Sequence, residues 1–133
     1  MSKANTTEVD ILAKVFKATA LSWDAATDLD IHLHTADPGE AGNSTTNEAT
    51  YTSYALVTVA RTGVAWSGTN PVTNAALIQF PQATGGTNTI THVSITPSGS
   101  TQILYSGALT ASLSVSNLIQ PQFSIGALSI SED

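Results

Sequence analysis

Hydrophobic positions recur at two different periods along this chain, and the change of period divides it. Val9, Leu12, Val15, Phe16 and Thr19 recur at three- and four-residue spacing between Glu8 and Ala20, which predicts a short helix. Thr7 is its expected N-cap, with Glu8 and Asp10 in the first turn, where acidic side chains meet the free N–H groups. A β reading of Ala13 to Ala20, with Lys14, Phe16 and Ala18 sharing one face, competes with it. Residues 1–7 are polar and extended, and Ser22 to Asp28 reads as a turn with Trp23 as a large buried anchor.

From Leu29 onward the period is two. Leu29, Ile31 and Leu33 point one way and Asp30, His32 and His34 the other, so this strand is expected to be half-buried with its polar side toward solvent or an interface. A turn-rich loop follows, Thr35 to Thr46, and then Thr50 to Ala60, rich in Tyr, Val and Thr, reads as the strongest β segment. Further strands are expected at Val64–Trp66, Asn74–Phe80, Thr89–Thr96, Gln102–Tyr105, Leu109–Val115, Pro121–Ile125 and Ala127–Ile130. Thr84-Gly85-Gly86-Thr87-Asn88 is a turn that needs positive φ. About eight to ten short strands at roughly eight- to twelve-residue spacing predict an all-β, single-domain antiparallel β-sandwich, jelly-roll or immunoglobulin-like. Residues 1–28 form an N-terminal arm carrying the short helix, and residues 29–133 form the sandwich.

Composition narrows what such a sandwich does. Charged residues make up 11% of the 133, less than half the usual share, so the surface is mostly hydroxyl and amide. The formal net charge of −6 excludes binding to a phosphate backbone, and nucleic acid is not an expected partner. Three of the four basic residues, Lys3, Lys14 and Lys17, lie in the arm, which makes it the part suited to an acidic neighbour. Without cysteine there is no disulfide, zinc–thiolate site or thiol nucleophile. No apolar run has the length of a membrane span and the first residues lack a signal-peptide core, so synthesis in the cytoplasm and no membrane partner are expected.

Candidate chemistry is sparse. Asp30, His32 and His34 alternate on one strand face, as ligands of a divalent ion would, but two or three such residues on a strand are a weak signal and no metal site is assigned. His92 has no nucleophile-elbow sequence to serve, and Gly85-Gly86 lacks the Gly-Lys-Ser/Thr of a phosphate loop. Asp37, Glu40 and Glu48 lack calcium-loop spacing. No cofactor and no enzymatic activity are expected. The loop is the better candidate: structureless stretches of this length are uncommon unless they function, and Asp37, Pro38, Gly39, Glu40 and Asn43 are its candidate interaction residues, beside Lys3, Lys14 and Lys17 of the arm.

Several segments resemble small virion structural proteins of tailed bacteriophages. These are Leu33 to Asn43, Phe80-Pro81 with Thr84 to Thr87 and Thr91-His92, Leu104 to Thr110, and Leu128 to Asp133, all in matching order. The resemblance implies a capsid decoration, or cement, protein on the outer capsid surface of the virion. It would stabilise the head by associating with the major capsid protein, as a homo-oligomer, a trimer. The alternative is a tail or tail-tip fibre component binding another tail protein or a host glycan, which exposed aromatic residues in a groove would favour. Trp23 and Trp66 are the candidates for that role.

Overall fold

The computed structural model describes residues 1–133 as ten β-strands and one helix. β1 (Ser2–Lys3) and α1 (Asn5–Lys17) are followed by β2 (Asp28–His34), β3 (Val57–Ala60), β4 (Trp66–Gly68), β5 (Val72–Asn74), β6 (Ile78–Gln79), β7 (Asn88–Pro97), β8 (Tyr105–Val115), β9 (Gln122–Phe123) and β10 (Ser129–Ile130). A five-stranded antiparallel sheet in the order β1-β8-β7-β2-β3 forms one layer. A three-stranded sheet, β10-β5-β4, and a two-stranded one, β6-β9, supply the rest. The chain is therefore a single all-β sandwich with a short N-terminal helix.

The core lies where the alternation of β2 places it. Ile31 pairs with Ile95 and Leu33 with Val93 across β2 and β7. These residues pack with Tyr51, Ile78, Phe80, Ile90, Val115 and Leu128 in one buried cluster. Phe80 is fully buried and meets Phe123 edge to face, with ring centroids 6.2 Å apart. The predicted positive φ at the Thr84–Asn88 turn is found at Gly86, at 71°.

Four local expectations are corrected. First, the polar side of β2 does not face solvent: Asp30, His32 and His34 are buried, because the loop from Thr35 to Ala49 folds back over them and supplies partners. Second, only Val57–Ala60 of the Thr50–Ala60 segment is a strand. Tyr51 and Tyr54 leave the ladder to pack edge on, and their hydroxyls reach Pro81 O and Glu48. Third, the expected strand Asn74–Phe80 is split, because buried Asn74 donates its amide to Ala76 O and Ser124 O and accepts from Leu128 N–H. That side chain joins three chain segments in place of a ladder. Likewise the Val64–Trp66 strand starts later, at Trp66, after the turn at 62–65.

Fourth, the helix begins three residues early and its N-cap is Ala4, which makes no side-chain cap. Thr7 lies inside the first turn with its hydroxyl directed into the body. The helix ends at Ala18 in the left-handed region at φ 53°, where its N–H returns to Ala13 O. No helix is long and apolar enough to cross a membrane.

Candidate functional site

The residues of α1 that contact the body are small or polar. Thr7 is buried and donates to Ile103 O at 2.7 Å, and Gln102 donates from Nε2 to Asp10 at 2.8 Å and to Thr7 Oγ1 at 3.3 Å. The first turn is tied to the loop by Asn5 N–H, which donates to Glu40 O at 2.9 Å. α1 makes no extended packing against any strand.

Its large apolar residues lie on the other side. At 100° per residue, Val9, Leu12, Val15 and Phe16 fall in one stripe opposite Thr7 and Asp10. They are 64, 57, 65 and 79% exposed. An amphipathic helix normally turns this stripe into the core, and here it is turned outward. Lys14 and Lys17, in the last turn of α1, are exposed beside it.

A second feature opens between the five-stranded sheet, the β4-β5-β10 sheet and the inner side of α1. This cleft of about 600 Å³ has an apolar floor that includes Leu29, Ile95, Leu104 and Ile130. Both tryptophans of the protein, Trp23 and Trp66, line it, so the pair named from the sequence does share a groove. Trp66 donates its indole N–H to Ala60 O at 3.1 Å, whereas the buried Trp23 Nε1 has no partner. Trp23 is half-buried rather than the expected core anchor. Arg61 stacks 5.5 Å from its ring centroid while donating to Trp23 O, Asp24 O and Ala26 O and pairing with Asp24. The body's single basic residue is thus committed to holding the turn that carries Trp23.

Glu132 and Tyr105 form one lip of the cleft. Glu132 accepts from Lys3 and from the Tyr105 hydroxyl, and these bonds hold its carboxyl below the ordinary range. Burial, then the bond to Glu132, raises the Tyr105 phenol.

The candidate interaction residues are spread over two places. Lys3 is paired with Glu132, while Lys14 and Lys17 project freely. The loop is a stapled plate. Asp37 accepts from Gly39 N–H at 2.8 Å, Asn43 accepts from Thr45 N–H at 2.9 Å, and Ser44 N–H donates to Thr101 O at 3.0 Å. Pro38 is buried; Asp37, Glu40 and Asn43 are exposed and Gly39 half-buried. A Cβ on Gly42 would fall 1.9 Å from Pro38 O, so this crossing requires glycine. The loop meets the arm at Glu40, whose Oε1 accepts from Ser2 Oγ at 3.3 Å, but Lys14 and Lys17 lie at the far end of a 13-residue helix.

Beneath the loop, a hydrogen-bonded seam runs along β2. His32 bonds Glu48 at 2.7 Å and Thr96 Oγ1 at 3.2 Å. His34 donates from Nδ1 to Thr46 O at 2.9 Å, which leaves Nε2 to accept from Ser94 Oγ at 2.7 Å. Burial lowers the His34 imidazole's affinity for a proton; the Thr46 carbonyl opposes this, His32 and His92 add to it, and Glu48 opposes it. Tyr54 donates to Glu48 and accepts from Leu33 N–H, and burial raises its phenol. Glu48 and Thr46 as histidine partners were not legible in the sequence, since only the return of the loop brings them to β2. No three His, Cys, Asp or Glu side chains are grouped to hold a metal ion.

A β-sandwich with an outward apolar helix and a hydroxyl-rich surface is a structural protein of the phage-virion class. Residues 2–131 match the sequence model of the family described as Podophage GP4 fiber I protein gp80, and the chain belongs to that family. No curated protein matches it.

Proposed function

We propose that this chain is a repeated subunit of a fibre on the phage particle and that it works by association, with the outer stripe of α1 as its principal contact. The observation that carries this is the orientation of α1: four large apolar residues face outward on a helix held to its own body by hydrogen bonds alone at Thr7 and Gln102. Exposed apolar stripes of this kind are covered in the assembled state. The family description favours a fibre over a capsid decoration role bound to the major capsid protein. Association suffices as the activity. The hydrogen-bonded pairs Ser94–His34 and Thr96–His32 have the partners of a nucleophile and base, but all four residues are buried beneath the loop.

The test is the copy number in purified particles, measured by mass spectrometry against the major capsid protein, for wild type and Leu12→Asp. A fibre subunit is present in far fewer copies than the shell protein, and Leu12→Asp is missing from particles although it folds. A ratio near one to one with the shell protein means capsid decoration instead. Normal incorporation of Leu12→Asp removes α1 from the contact.

A further inference from the structure

Charge is unevenly divided along this chain. Residues 18–133 hold eight of the ten acidic residues and one base, a balance of −7, while residues 1–17 hold three lysines and two acids, a balance of +1. Two bodies repel, and an arm meeting a body attracts. The arm's most exposed apolar side chain, Phe16, sits between Lys14 and Lys17. The body's apolar cleft is bordered by Glu132, with Asp24 beside Trp23 and Asp133 next in sequence. A protruding aromatic ring with basic neighbours and an open aromatic-floored cleft with acidic neighbours are thus present on one chain, in different places.

We infer that Phe16 of one copy inserts into the Trp23/Trp66 cleft of a second copy, with Lys14 and Lys17 lying against its acidic border. The inference rests on the associative reading above and names the partner of α1. The cleft has the size and lining of a pocket that takes an apolar group, and an aromatic side chain is the commonest anchor of such contacts. Because the two surfaces differ, the contact is heterologous. It closes a ring when the rotation between copies divides a full turn, a threefold rotation giving a trimer, and otherwise continues as a filament.

The test uses the full chain in solution. Phe16 is replaced by the photo-crosslinking residue p-benzoylphenylalanine, isotopically labelled and unlabelled chains are mixed and irradiated, and mixed-isotope cross-linked peptides are mapped. Cross-links to peptides carrying Trp23, Trp66, Val72 or Ile130 of the other copy are expected. Cross-links between two α1 helices, to any other surface, or none between copies overturn the inference. Since the two tryptophans both line the cleft, intrinsic fluorescence reports on its filling. Raising the wild-type concentration blue-shifts the emission, and Phe16→Ala, at a residue whose side chain supports no fold contact, requires about tenfold or more higher concentration for the same shift. Equal curves for the two proteins overturn it. Wild type that is monomeric in solution yet present in particles at fibre copy number refutes the second-copy partner and leaves the fibre reading intact.

Discussion

Replacing Thr7 with valine isolates what holds α1 to the sandwich. The two side chains are alike in shape and in helix propensity, so the change removes a hydroxyl and little else. That hydroxyl is buried, donates to Ile103 O at 2.7 Å and accepts from Gln102 at 3.3 Å. Its loss leaves a buried carbonyl without this donor, a cost of about 1–3 kcal/mol. Because the apolar stripe of α1 faces outward, little hydrophobic burial opposes undocking, and the cost falls on the helix rather than on the sheet. At about 1.4 kcal/mol per factor of ten, amide exchange in residues 5–17 accelerates by about fivefold to a hundredfold, through opening of that unit alone. Exchange in β7 and β2, which pair with each other over six residues, stays as in wild type. Hydrogen exchange followed by NMR resolves the two regions. Unchanged exchange in α1, or equal loss of protection in α1 and β7, refutes the view that one buried hydroxyl docks an otherwise weakly held helix.

Tyr54→Phe removes the hydroxyl shared by Leu33 N–H and Glu48, and a loss of about 1–3 kcal/mol is expected as a lower urea midpoint with an unchanged slope; an unmoved midpoint shows that the seam does not stabilise the fold. The seam also sets a pH dependence. His34 binds its proton less readily folded than at its ordinary value of 6.5, so its contribution is fully present above that value. It is lost as pH falls from there toward the lower folded value. The urea midpoint therefore drops on acidification below 6.5 in wild type, and His34→Gln flattens that part of the profile; an identical slope in the variant assigns the dependence elsewhere.

Much of the architecture follows from local pattern. The two-residue period over Leu29–Leu33 and Thr89–Thr96 gave the central pair β2 and β7, because alternation is a property of the strand itself. The helix was legible in the three- and four-residue spacing of Val9, Leu12, Val15 and Phe16, and the Trp23/Trp66 pair was singled out as a groove. What spacing does not encode is direction. The stripe of α1 predicted a helix equally well whichever side met the body, and the choice was made by Thr7 and Gln102, ninety-five residues apart in sequence. The same holds for Asp30, His32 and His34: alternation places them on one face, but whether that face meets water depends on where the loop returns. Long-range hydrogen bonds decided it, bringing Thr46 and Glu48 onto β2 and leaving Asn74 to join three segments where a strand was expected. Sequence by itself thus determined which residues form strands and helix and that charge is segregated between arm and body. Only the tertiary structure decided which apolar surface is buried and which is left for a partner, because burial is set by contacts between segments distant along the chain.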